Sequence, residues 1–231
     1  MRIASIIDVS LVDVPGIPVT VIFTAGCNFD CPYCQNANII PLNSGMEMSV
    51  SEVLSGASGH LVDGYCVTGG EPTIQKELPD LLKALSKKGD FHINLNSQGS
   101  VPSVLEECIP YLDSVWLDLK ASPTRYEKVC RTKHSPWPNV KKSIDLLLKS
   151  NVDLWPRTTY AGNLLSPQDI VDIIDILEEL GFEGRYVVQD YVPSSGVRES
   201  EATNLTRPKK EDLEEIIDEA SGGVEVDLQF R

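Results

Sequence analysis

The feature that most constrains what this chain can fold into is an alternation of two kinds of segment. Short apolar runs recur at 19–23, 65–68, 91–95, 114–119, 152–155 and 185–189, with a further run at 224–228. Runs of that length and content read as buried strands. Between them lie segments with helical spacing. Leu78, Leu81, Leu82 and Leu85 share one helical face; so do Val140, Ile144, Leu147 and Leu148, and Ile170, Ile173, Ile174, Leu177 and Leu180. Leu213, Ile216, Ile217 and Ala220 mark a last helix. Ser49 and Glu52 have the spacing of a capping box. Ser166-Pro167-Gln168-Asp169 reads as a helix start, with a cap, a proline in the first turn and an acid at the positive dipole end. Gly181 can close that helix.

Strand alternating with helix argues for parallel strands joined by helical crossovers. Six such units are fewer than the eight of a closed barrel. From the pattern alone, a partial barrel and an open α/β sheet fit equally; the expectation taken forward is a partial (βα)6 TIM-like barrel forming a single domain over 1–231. No internal repeat, low-complexity tract or linker interrupts the chain. The polar segment 193–208, rich in Ser and Thr, reads as a loop long enough to suspect function or mobility.

Composition narrows the function classes. With 42% apolar and 23% charged residues, the 231-residue chain resembles an ordinary globular protein. A formal net charge of -14 repels a phosphate backbone, and Lys87-Lys88, Lys141-Lys142 and Lys209-Lys210 are only scattered pairs. Nucleic acid is therefore a disfavoured partner. The longest apolar runs fall well short of a membrane span. The first residues are too short and too acidic a stretch for a signal peptide. A cytoplasmic location and no membrane partner are expected.

Three of the six cysteines crowd into eight residues: Cys27-Asn28-Phe29-Asp30-Cys31-Pro32-Tyr33-Cys34, directly after the first strong strand. Loops after the strands of a parallel fold form its active face. Three thiolates on one loop can hold three irons of a [4Fe–4S] cubane and leave the fourth iron open to a ligand. Structural zinc would want a fourth Cys or His at matching spacing, and His60, His92 and His134 offer none. A redox Cys-x-x-Cys needs only Cys31 and Cys34 and leaves Cys27 unexplained. Cys66 and Cys108 fall in a strand and a helix and read as core residues. Cys130 sits in a polar stretch, where it could be exposed.

The Cys-x-x-x-Cys-x-aromatic-Cys pattern is the signature of the radical S-adenosylmethionine superfamily, which this chain resembles. The resemblance implies that S-adenosylmethionine chelates the open iron, that Tyr33 lies by its adenine, and that Gly69-Gly70-Glu71 meets its amino group. Leu95-Asn96-Ser97-Gln98-Gly99 resembles the Asp-Thr-Asn-Gly pattern of glycyl-radical activating enzymes, with Asn96 in place of the Asp that would hold a cation. Asp118-Leu119-Lys120 resembles their Asp-x-Lys, with both side chains on one strand face, and Arg157 a family arginine at a strand end. These match residues that position S-adenosylmethionine; Asn96 and Ser97 could serve the cofactor or the substrate. Most of the chain resembles the activator of anaerobic ribonucleotide reductase, through Phe23-Thr24-x-Gly26-Cys27-Asn28, Cys34-Gln35-Asn36 and Arg157-Thr158-Thr159. That likeness implies a 5′-deoxyadenosyl radical that abstracts hydrogen from a glycine of a partner glycyl-radical protein, fed by a flavodoxin or ferredoxin-type donor. Modification of a small molecule, nucleoside or RNA base is the alternative.

Overall fold

The computed structural model describes residues 1–57, 61–220 and 222–230. His60 and the side chains of Ile216 and Ala220, used in the sequence reading, lie outside the described residues. In chain order the elements are β1 (Arg2–Ser10), β2 (Val19–Thr24), β3 (Met46–Glu47), α1 (Val50–Gly56), β4 (Gly64–Gly69), α2 (Leu78–Leu85), β5 (His92–Ser97), α3 (Pro102–Cys108) and β6 (Ser114–Asp118). There follow α4 (Tyr126–Cys130), α5 (Trp137–Leu148), β7 (Asp153–Tyr160), α6 (Pro167–Glu179), β8 (Arg185–Asp190), α7 (Glu199–Ala202), α8 (Glu211–Ala220) and β9 (Glu225–Gln229). Strand neighbours run β3-β1-β2-β4-β5-β6-β7-β8-β9, an open order with β3 and β9 at its ends. The steps β2–β4–β5 and β7–β8–β9 are parallel, as the alternation requires. Two strands are additions to the sequence reading: β1 pairs antiparallel with β2, and β3 antiparallel with β1.

The chain divides into two compact units. The first comprises Met1–Asn28, Asn38–Trp116 and Asn139–Leu154; the second comprises Phe29–Ala37, Leu117–Pro138 and Trp155–Arg231. In the first unit, Val19, Val21 and Ile22 of β2 and Cys66 and Val67 of β4 are fully buried, together with Leu78, Leu81, Leu82 and Leu85 of α2. These strands are apolar on both faces, which is why they read as continuous runs. A polar chain crosses their interior: the Cys66 thiol donates to Asn94 Oδ1 (3.3 Å), Asn94 Nδ2 donates to Ser114 Oγ (2.8 Å), and His92 Nε2 meets that hydroxyl (2.8 Å). The capping box of Ser49 and Glu52 starts α1 as read.

In the second unit, Ile170, Ile173, Ile174 and Leu177 of α6 are buried, and Gly181 at φ +78° ends the helix. Its start carries more than a cap. The Asp169 carboxylate, 1% exposed, accepts the Ser166 backbone N–H (2.8 Å), the Ser166 hydroxyl (2.7 Å), the Ser122 hydroxyl (2.6 Å) and Arg125 Nη1 (2.5 Å). Arg125 Nη2 also donates to the Leu164 carbonyl (2.6 Å). Segment 193–208 is a loop only in part. It contains α7 and is fastened at several points, among them the Gly196 carbonyl accepting from Ala37 N–H (3.2 Å) and the Arg207–Asp190 ion pair (2.7 Å). Among the described residues, no helix is long and apolar enough to cross a membrane.

Arg125 is 32% exposed and can turn to water, but the Ser166 N–H and the buried Ser122 hydroxyl lose their acceptor with the Asp169 carboxylate, at about 1–3 kcal/mol each. Asp169→Ala therefore lowers the unfolding free energy by about 3 kcal/mol, to be measured by urea denaturation; a loss within the ordinary range of surface substitutions would reject this role.

Candidate functional site

In the first unit the expected residues Cys27, Gly69, Gly70, Glu71, Asn96 and Ser97 lie at or just past the ends of β2, β4 and β5. The turn after β4 packs directly on the backbone that leads into Cys27. Gly70 N–H donates to the Thr24 carbonyl (3.0 Å) and Glu71 N–H to the Gly26 carbonyl (2.9 Å). Gly69 sits at φ +127°, and a Cβ there would stand 2.1 Å from the Thr24 oxygen; one on Gly70 would stand 2.0 Å from the Gly26 oxygen. Neither position has room for a side chain.

Glu71 is 1% exposed, and both carboxylate oxygens are engaged. One accepts the Thr73 backbone N–H (3.0 Å), the Thr73 hydroxyl and the Ser97 hydroxyl (2.7 Å); the other accepts the Gln98 backbone N–H (2.9 Å). Burial raises its pKa, and the four donors only partly offset this. Gln98 Nε2 donates to Asn28 Oδ1 (2.8 Å), and Asn28 Nδ2 to Ser100 Oγ (2.8 Å). One polar network thus joins the residues that follow β2, β4 and β5. Asn96 Oδ1 is a buried acceptor with no hydrogen-bond partner among the described residues.

In the second unit lie Cys31, Tyr33, Cys34, Asp118, Lys120 and Arg157. Asp118 ends β6 and accepts Lys120 Nζ on one oxygen (2.9 Å) and Arg157 on the other (Nε 2.9 Å, Nη2 2.8 Å). Their side chains are 16–23% exposed, so this is no loose surface pair. Arg157 lies inside β7, not at the strand end that the sequence suggested, because β7 runs on to Tyr160. The Lys120 ammonium lies 6.0 Å from the centroid of the Tyr33 ring, and the Lys120 backbone N–H donates to the Tyr126 hydroxyl (3.0 Å). Burial pushes the Asp118 carboxyl up, but Arg157 and then Lys120 outweigh it and hold the pKa at about 2. The Cys31 thiol is lowered, first by a hydrogen bond from Cys130, against burial, with Lys120 adding to the effect. Burial raises Cys34 and Tyr33. The Tyr33 hydroxyl is a second buried polar atom with no hydrogen-bond partner among the described residues.

Several residues of the second unit were missed by sequence reasoning. Cys130 is fully buried, correcting the expectation of exposure in a polar stretch. Its carbonyl accepts the Asp30 backbone N–H (2.9 Å), and the Asp30 carboxylate pairs with Arg198 Nη2 (2.5 Å). Arg131, in the left-handed region at φ 52°, grips Glu201 of α7 with two bonds (2.6 and 2.9 Å). The signal available in the sequence was an acid between two cysteines; its partners, far along the chain, carry no local mark.

The donors present fit the expected groups. Thiolates are the ligands that suit iron–sulfur chemistry, and Cys31 is held toward its thiolate form. Among the described residues no three His, Cys, Asp or Glu side chains are grouped to hold a single ion. Asn96 Oδ1 and the Tyr33 hydroxyl offer unspent hydrogen-bonding capacity to a polar ligand.

The sequence profile described as the Radical SAM superfamily matches residues 21–188. The chain belongs to that superfamily, whose members use a [4Fe–4S] cluster and S-adenosylmethionine. It is 31% identical, over 93% of its length and 89% of the relative's, to a Methanocaldococcus jannaschii protein provisionally named a glycyl-radical enzyme activating enzyme. It is 37% identical over 46% of its length to the 7-carboxy-7-deazaguanine synthase of Methanospirillum hungatei, covering 43% of that protein. Among solved structures, QueE from Escherichia coli aligns with all of this chain and 94% of its own, with a TM-score of 0.56 and 18% identity. That likeness is one of fold, and with the open, mostly parallel sheet it bears out the partial-barrel expectation.

Two outcomes are expected. Glu71→Ala leaves two buried backbone N–H groups, those of Thr73 and Gln98, without acceptors and costs about 2–6 kcal/mol of stability at about 1–3 kcal/mol each, read from denaturant midpoints. For Asp118 the folded pKa is about 2 against an ordinary 3.8. Its stabilisation, about 2 kcal/mol, is present above the ordinary value and is lost as pH falls from about 4 through about 2. Urea unfolding across that window should show a flatter pH dependence for Asp118→Asn than for the natural chain.

Proposed function

We propose that this chain activates a glycyl-radical protein by taking hydrogen from a glycine in it, with Cys27, Cys31 and Cys34 as the cluster ligands. The observation that carries this reading is similarity along 93% of the chain to a relative provisionally named for that activity. When bound, the cluster and S-adenosylmethionine supply one-electron reduction and hydrogen-atom abstraction. The chain's residues bind and orient. Asp118 stays ionised and fixes Lys120 and Arg157, leaving a local excess of positive charge for a ligand carboxylate. Tyr33 offers an apolar ring face and a spare hydroxyl. Asn96 offers an acceptor to a ligand N–H or O–H. Glu71 acts through the backbone: it holds the glycine turn beside Cys27 with its own oxygens already engaged, a different role from direct contact with the ligand amino group. The electron donor proposed is of flavodoxin or ferredoxin type.

A second reading, modification of a small molecule, is favoured by the local match to a 7-carboxy-7-deazaguanine synthase. One experiment separates them. Anaerobically reconstituted enzyme, reductant and S-adenosylmethionine are mixed with a glycine-deuterated glycyl-radical protein, or with a deuterated deazaguanine precursor. Deuterium in 5′-deoxyadenosine from the protein supports activation; deuterium from the small molecule alone overturns it. In the same preparations, Cys27→Ala, Cys31→Ala and Cys34→Ala should each abolish cluster iron, while Cys66→Ala and Cys108→Ala should retain it. Iron that survives loss of any of the first three rejects the ligand assignment.

A further inference from the structure

We propose that residues 192–201 form a strap latched over the cysteine loop, with Arg198 as its pin, and that opening of this strap sets how fast a bound cluster gives up iron. The inference rests on the reading of Cys31 and Cys34 as cluster ligands and is independent of what the substrate is. The strap follows β8 and is fastened along residues 30–37. Gln35 Nε2 donates to the Val192 carbonyl (3.1 Å), and the Ala37 N–H donates to the Gly196 carbonyl (3.2 Å). Gly196 comes so near that a Cβ there would stand 1.8 Å from the Gln35 oxygen. Val197 is buried and anchors the middle of the strap. Arg198 then reaches the turn that carries two of the cysteines. Its Nη2 donates to the Asp30 carboxylate (2.5 Å) and lies 3.5 Å from the Cys31 carbonyl, which also accepts the Cys34 N–H (3.2 Å). Arg131, whose Nη1 lies 4.0 Å from Asp30, holds Glu201 at the far end of the strap with two bonds (2.6 and 2.9 Å).

These fastenings differ in kind from thiolate–iron bonds. Their charged side chains are partly exposed: Arg198 by 35%, Asp30 and Arg131 by 41%. Water and salt reach such pairs, so each contributes little alone and weakens as ionic strength rises. Segments held in this way open locally long before a fold unfolds as a whole. With Arg198 released, the turn from Cys31 to Cys34 keeps its own hydrogen bond and loses the outer contact that bears on it. On this account a closed strap keeps a chelator from the cluster, and the latch, not the thiolates, is the slow step. Arg198 is a positioning residue: it acts on the ligands through the Asp30 carboxylate and the Cys31 carbonyl, not on the reacting atoms.

The test follows iron release from the anaerobically reconstituted protein to bathophenanthroline in the presence of dithionite, with iron content measured beforehand. Arg198→Met removes the pin and keeps an apolar stem. Gly196→Ala wedges the strap away from Gln35 without changing charge, so that a folding defect in one variant leaves the other to be read. Both should take up full iron and release it about threefold to tenfold faster than the natural chain. Arg198→Lys, which keeps the charge, should recover part of the difference. Sodium chloride should speed release from the natural chain and matter less for Arg198→Met. Arg185→Met, which breaks an exposed ion pair between β8 and β9, should release iron at the natural rate. Strap variants that release at the natural rate overturn the proposal, as does a natural chain indifferent to salt. Failure of both strap variants to take up iron also overturns it, since the segment would then be part of the folded frame. Cys31→Ala is run alongside. If it keeps its iron, the ligand assignment itself has failed; if it loses iron while the strap variants release at the natural rate, only the latch has failed. Hydrogen exchange in the iron-free protein reads the strap by itself. Arg198→Met should speed exchange of the Cys34 and Ala37 amides, and unchanged exchange there overturns the latch whatever the ligands are.

Discussion

The first unit depends on one carboxylate kept from water. Glu71 accepts four hydrogen bonds, two of them from backbone N–H groups, and so joins the turn after β4 to the end of β5. Burying a carboxylate is costly unless donors surround it. The raised pKa records the part of that cost which the donors do not offset. The return is rigidity at a place built from irregular backbone. The same turn donates to the Gly26 carbonyl, so the chain enters Cys27 from a fixed position.

The second unit uses charge instead. Asp118 is pinned between a lysine and an arginine, and the lysine lies beside the Tyr33 ring and lowers the Cys31 thiol. A separate set of charges fastens the loop from outside: Asp30 with Arg198, and Arg131 with Glu201. The two groups answer different needs. One sets a net positive charge beside the Tyr33 ring; the other holds the cysteine loop in place.

Much of this was legible in the sequence, for identifiable reasons. Fully buried parallel strands write themselves as apolar runs, and β2, β4 and β8 were read within a residue or two. Helices with one buried face write themselves at 3.6 spacing, as α2 and α6 did. The three-cysteine loop announced itself by crowding. Strand β1 was missed because much of it is exposed: Ile7 and Val9 are 45% and 41% accessible and give no core signature. Strand β3, two residues long, has no pattern to read. Of the site, Asp118 and Lys120 were legible as a short local motif, whereas Asp30 and Arg198 stand near opposite ends of the chain and meet only once it is folded. Cys130 was misread for the same reason: the stretch around it in sequence is polar, but the folded chain buries it fully, with the Asp30 N–H on its carbonyl.

The Asp118 trio has a further consequence, best seen as a field. Two cations and one anion leave a single net positive charge there, within a chain whose formal charge is -14. Beyond about 8–10 Å in physiological salt, screening erases so small a centre, and an approaching anion meets mainly the negative envelope. Within that range, where water has been displaced, the same charge acts through a lower dielectric and strengthens steeply. On the proposed reading, in which this trio meets a ligand carboxylate, its charge would discriminate among ligands already seated and do little to summon them from solution.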